Sequence, residues 1–145
     1  MEGESCYNRC LKILFNYPDI MILSKIESDT LMGKIIQKYQ SIGINDIHYL
    51  WSYSDKIPMT RVRMNPDELL SFYNENLLGK LSATSVIYLI IDCCDGRFIV
   101  CSSTSKNYFD LMKDSYFDLD EIYFADETKK LLLCINHVFE VIQFE

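Results

Sequence analysis

The chain has 145 residues, 49% apolar and 24% charged, with 21 acids against 14 bases and a formal net charge of −7. That length and composition suit one domain spanning residues 1–145 and exclude disorder as the overall state. Seven acids and one lysine lie between residues 110 and 127, a local charge of −6, which disfavours a nucleic-acid partner and favours a basic protein.

The N-terminal MEGESCYNRC is acidic and has no apolar h-region, so no secretory signal is expected. The apolar runs Val86–Ile91 and Leu131–Ile135 are too short to cross a bilayer. Cys6, Cys10, Cys93, Cys94, Cys101 and Cys134 therefore read as reduced, mostly buried thiols of a cytoplasmic protein.

Tyr7, Cys10, Leu11, Leu14 and Phe15 recur at helical spacing, and Tyr17-Pro18-Asp19 stops that helix. Residues 20–26 fit a short strand or a helix extension. Ser28 and Asp29 are caps for a helix over 29–41, with Leu31, Met32, Ile35, Ile36 and Tyr39 on one stripe and Gly43 at its end. Residues 45–63 are ambiguous: Ile47, Tyr49, Trp51 and Tyr53 alternate as in a strand, Pro58 breaks the pattern, and Met59–Met64 fits an edge strand. Asn65, Pro66 and Glu68 mark a helix start, and that helix is expected to run to Leu78 with Gly79 just beyond.

Val86–Ile91 predicts a strand buried on both faces, Asp95-Gly96 a turn and Arg97–Cys101 a second strand. A helix follows over 105–114, then strands at 121–124, 130–135 and 139–144. The order predicts an α+β fold: N-terminal helices packed on a mostly antiparallel C-terminal sheet with one inserted helix.

The chemistry-bearing residues do not form a recognised catalytic pattern. Cys93, Cys94, Cys101, Cys134 and His137 lack the paired Cys-x-x-Cys knuckle of a zinc site, so neither metal nor cofactor is expected. A thiol hydrolase using Cys134 or Cys94 with His137 is an alternative, although Cys134 falls in an apolar run that raises its pKa. The acidic stretch comprises Asp110, Asp114, Asp118, Asp120, Glu121, Asp126 and Glu127, interleaved with Tyr116 and Phe117 among other aromatics. Acids at a rim raise the on-rate for a basic partner, and aromatic anchors supply the hot spots.

The strings SVIYLIIDCCDGRFIVCSS and YFDLMKDSYFDLDEIYFADETKKLLLCINHVFEVIQF carry a resemblance. An Asp-ended strand, a DG turn, a short helix, the Asp120–Tyr123 strand and the Leu132–His137 strand-turn ending resemble small bacterial immunity proteins. These are the antidotes of polymorphic toxin and contact-dependent growth inhibition systems. The resemblance covers residues 86–144; Leu131 and Ile135 stand where the pattern has an aromatic and an acid. It implies a non-enzymatic cytoplasmic protein that binds and blocks one cognate toxin domain. Combined with the charge, it predicts a basic nuclease toxin held by Asp110, Asp114, Tyr116, Phe117, Asp118, Asp120, Glu121, Asp126 and Glu127. Neither nucleic acid nor membrane is expected as a partner, and a monomer and a dimer are equally compatible with the composition. An adaptor for a partner other than a toxin is the remaining alternative.

Overall fold

A strand as apolar as Val86–Ile91 is stable only where both its faces are covered. In the computed structural model, which describes residues 5–75, 85–115, 118–119, 121–138 and 140–145, this strand lies within a seven-stranded antiparallel sheet. The strands are β1 (Met21–Ile22), β2 (Met59–Arg63), β3 (Val86–Asp92), β4 (Phe98–Thr104), β5 (Glu121–Ala125), β6 (Leu131–Ile135) and β7 (Glu140–Phe144). Their spatial order is β1-β4-β3-β5-β6-β7-β2. The helices are α1 (Cys6–Leu14), α2 (Lys25–Gln37), α3 (Pro66–Tyr73) and α4 (Ser105–Ser115). The fold is α+β, with the sheet built mostly from the C-terminal half.

Side chains alternate across a sheet, so each strand feeds two cores. Ile87, Leu89 and Ile91 of β3 pack with Cys10 and Leu14 of α1, Leu69 and Tyr73 of α3, and Tyr108 and Met112 of α4. Ile90, with Tyr123, Cys134 and Ile142 from the neighbouring strands, packs under Leu31 and Ile35 of α2 and under Ile44, Ile47, Leu50 and Ile57. Each fully buried aliphatic side chain of this kind contributes roughly 1.5–3 kcal/mol. The buried hydroxyls of Tyr73 and Tyr108 donate to backbone oxygens of Ser105 and Ile87 at 2.7 and 2.8 Å, tying α3 to α4 and α4 to β3.

Local chemistry sets the element ends. The Ser5 side chain accepts from Asn8 N and caps α1. Asn65 and Glu68 form a reciprocal capping box at α3, with Pro66 in its first turn. The expected end of α3 near Leu78 and Gly79 lies outside the described residues. Two expectations are corrected. The second helix begins at Lys25 rather than at 29, because Ser24 and Glu27 form a capping box that satisfies two amides upstream of Ser28. It also stops at Gln37, and Gly43, at φ 84°, closes a separate 3-10 turn at Gln40–Ile42.

The alternation over 47–53 is not a strand. Asp46 Oδ1 accepts from His48 N, Tyr49 takes a left-handed φ of 56°, and Leu50–Ser52 is a 3-10 turn. Ile47 and Leu50 are the buried pair, a spacing of three residues rather than two.

β2 lies at one sheet edge, as expected, with Arg61, Val62 and Arg63 exposed; charged side chains there blunt edge-to-edge pairing. At the other edge β1 has only two residues. No helix of the described residues is long and apolar enough to cross a membrane.

The turn from β5 to β6 generates a prediction. Burial acts to raise the pKa of Asp126, but hydrogen bonds from Thr128 and from the Lys130 and Thr128 amides outweigh it and hold the carboxyl below its usual value. A depressed folded pKa adds stability that is complete above the unfolded value of about 3.9 and lost as pH falls through the folded one. The stability gap between the native chain and Asp126→Ala should therefore narrow as pH drops below about 4. Urea midpoints across that range measure it, and a pH-independent gap would refute the assignment.

Candidate functional site

Two acids continue the inner row of the sheet that packs beneath α2. Asp92 ends β3 and Glu121 begins β5, and the two are direct cross-strand partners. Both are buried, at 1% and 0% exposure. Like charges at such positions repel, and each buried carboxylate costs several kcal/mol unless paired.

Each acid has its own histidine, and these are the chain's two histidines. His48 Nδ1 lies 2.5 Å from Asp92 Oδ2. His137 Nδ1 bonds Glu121 Oε1, while Trp51 Nε1 donates to Glu121 Oε2 at 3.2 Å. Asp92 Oδ1 also accepts from Cys94 N at 2.8 Å, so this carboxylate both caps its own turn and orients an imidazole.

Over the carboxylates lies an aromatic cover. The His48 and Tyr49 rings are 3.8 Å apart, Trp51 stands edge-on to Tyr49 at 5.8 Å, and His137 lies 5.8 Å from Trp51. Tyr49 is 40% exposed and Trp51 half-buried. Arg61 of β2 holds Trp51 from beneath: its guanidinium donates to the Trp51 carbonyl at 2.5 Å and lies 5.6 Å from the ring centroid. Fully buried Asn136 organises the turn that carries His137, accepting from the Val138 and Glu140 amides and donating to Glu140 Oε1.

Backbone strain is concentrated here. Among the described residues, non-glycine positive φ occurs at Tyr49, Cys94 and Lys129, and the first two flank the His48–Asp92 pair. Conformations of this kind cost on the order of 1 kcal/mol and persist where surrounding contacts impose them. Chemically, the arrangement offers two oriented imidazoles on a rigid aromatic surface. Exposed Cys94 lies close by, with His48, Asp92 and Cys94 donor atoms all within 4.8 Å of one another.

The acidic stretch read from the sequence is not one patch. Asp110 and Asp114 are exposed on α4, and Asp114 accepts from the Tyr17 hydroxyl at 3.1 Å. Asp118 is exposed just before β5, and its carbonyl accepts from Arg9 Nε. Glu121 is the correction: its carboxylate is wholly buried, because the inner face of β5 demands it and His137 and Trp51 satisfy it there. Asp126 and Glu127 lie past the far end of β5; Asp126 is bound into its own turn, and Glu127 accepts from Val86 N. Tyr116, Phe117 and Asp120 lie outside the described residues.

The cysteine candidates separate as well. Cys134 is fully buried, and burial, together with the Glu121 charge, pushes its thiol pKa well up, the reverse of what activates a thiolate. Cys101 is held above its usual value by burial, at about 12. Sequence reasoning missed His48, Tyr49 and Asp92 as a unit. The available signal was an acid ending an apolar strand in a chain with only two histidines.

The chain matches no protein-family model, no curated protein and no solved structure.

The pairing predicts an asymmetry. His137→Ala leaves Glu121 buried with Trp51 Nε1 as its remaining side-chain partner among the described residues, whereas Glu121→Gln removes the charge itself. Breaking a buried pair costs about 3–5 kcal/mol; with the His137 side chain 46% exposed, roughly 2–3 kcal/mol is expected. The loss should shrink in the Glu121→Gln background. Additive losses in urea denaturation of the two single variants and the double variant would show that the pair is not coupled.

Proposed function

We propose that this protein is a cytoplasmic toxin-neutralising immunity protein that acts by binding. Its contact face, in this reading, is the aromatic–histidine surface over Asp92 and Glu121, and the exposed acids Asp114 and Asp118, on the α1 side of the sheet, supply long-range steering charge. The observation that carries the reading is that His48, Trp51 and His137 are fixed by two buried carboxylates, and that the Tyr49 ring packs on His48 and Trp51. Well-packed apolar residues would stabilise such a position as well or better, so the retained charges make sense as supports for what they hold at the surface. Pre-ordered Tyr and Trp side chains lose little entropy on binding and are the commonest interface anchors. The resemblance of residues 86–144 to immunity proteins supports the same class, and the net charge of −7 supports a basic partner.

The test is titration calorimetry and stopped-flow association with the toxin domain encoded in the adjacent reading frame. Tyr49→Ala should weaken binding at least about tenfold, mainly through faster dissociation. Asp114→Asn with Asp118→Asn should slow association and flatten its salt dependence while leaving dissociation nearly unchanged. Absence of binding to that domain would overturn the function, and unaltered binding by Tyr49→Ala would overturn the face.

One observation favours a second reading. Cys94, His48 and Asp92 supply the residue types of a thiol–imidazole–carboxylate triad at a strained turn. A nucleophilic Cys94 should react with iodoacetamide at neutral pH faster than a free thiol and lose that advantage in His48→Ala. Labelling no faster than a free thiol eliminates this reading.

A further inference from the structure

The turn after β3 divides its side chains between the two faces of the sheet. Asp92 goes to the histidine side, and Cys93 goes to the α1 side, buried at 4% exposure. There it meets Cys6 and Cys10, one helical turn apart on the same face of α1. The three sulfur atoms lie within 4.8 Å of one another, and Cys6 and Cys10 are 3.8 Å apart. This is not the constellation weighed from the sequence: Cys134 lies on the opposite side of the sheet from Cys93 and Cys101.

We propose that Cys6, Cys10 and Cys93 form a three-thiolate zinc site that clamps α1 to the end of β3. Zinc–thiolate bonds of about 2.3 Å in tetrahedral geometry place sulfurs about 3.8 Å apart. The observed Cys6–Cys10 spacing already meets that value, and Cys93 needs only a small approach.

Charge at the site fits a divalent ion. Zinc with three thiolates carries one net negative charge, and two guanidiniums are at hand. Arg97, at the β3–β4 turn, lies 4.5 Å from the centroid of the Tyr7 ring on α1 and interacts electrostatically with Cys93. Arg9 reaches the Asp118 carbonyl that also lies 3.9 Å from Cys10 Sγ. Asp95 pairs with Arg97 at 2.5 Å and cancels its formal charge, so Arg9 carries the net offset while the Arg97 guanidinium orders the Tyr7 side of the site. Cys10 is fully buried whereas Cys6 is only half-buried, which gives the ion an approach and leaves a fourth position for water. Each thiol that binds exchanges its S–H bond for a Zn–S bond and gives its proton to solvent.

The experiment titrates reduced, metal-free full-length protein with Co(II), then displaces it with Zn(II). One equivalent of Co(II) should give an intense near-ultraviolet thiolate charge-transfer band, bleached by one equivalent of Zn(II). Zn(II) should also release about three protons in weak buffer and raise the melting temperature. Cys6→Ser, at the half-buried position, should fold and lose the stoichiometric band and the thermal shift, and Cys93→Ala should lose them too. Cys94→Ser should keep both. Absence of the band in the wild-type protein, its survival in Cys6→Ser, or its loss in Cys94→Ser overturns the site.

Discussion

Two carboxylates side by side inside a sheet need partners, and meeting that need shapes one whole end of this molecule. Asp92 and Glu121 are cross-strand neighbours with no exposure to water. Each must be met by an N–H group brought from elsewhere in the chain. His48 comes from the segment after α2, His137 from the β6–β7 turn, and Trp51 from the 3-10 turn between them in space. Segment 44–53 therefore cannot relax into the strand its alternation suggests. Its buried Ile47 and Leu50 anchor it on the sheet, and Tyr49 takes a left-handed conformation so that His48 and Trp51 both reach inward.

The rest of the architecture makes that end rigid. β3 and β5 are central strands covered on both faces, so the acids they carry cannot swing to solvent without opening the sheet. Asn136 fixes the backbone of the turn that bears His137, and Arg61 fixes the Trp51 carbonyl from the edge strand. The strained residues Tyr49 and Cys94 are consistent with this: the positive φ of each is imposed by contacts around the acid–histidine pair.

Much of the fold was legible because it rests on local rules. The Asn65–Pro66–Glu68 start, the apolar run of β3 and the Asp95-Gly96 turn each have a short-range physical cause, and each appears in the structure. Errors arose where two local signals competed. Ser24 and Ser28 are both plausible caps, and only Ser24 has a glutamate three residues on to complete a box. The site was less legible because its parts are far apart in sequence: His48 and Asp92 are 44 residues apart, and Trp51 and Glu121 are 70. Cys6 and Cys10 share a helix face that periodicity reveals, but only the fold brings Cys93 to them.

Glu121 shows why a run of acids is not a surface. Strand geometry sends alternate residues to opposite faces, so a negative stretch that enters a central strand must bury part of its charge. Here the helix end contributes exposed Asp110 and Asp114, the strand takes Glu121 inside, and the turn beyond binds Asp126 to its own amides. With β5 rising about 3.4 Å per residue, its two ends are more than 13 Å apart, beyond the Debye length of about 8 Å at physiological salt. The exposed charge of Asp118 is therefore screened from that of Glu127. The exposed acids and the aromatic surface also stand on opposite sides of the sheet: Asp114 and Asp118 meet Tyr17 and α1, whereas Trp51 packs in the core beneath α2.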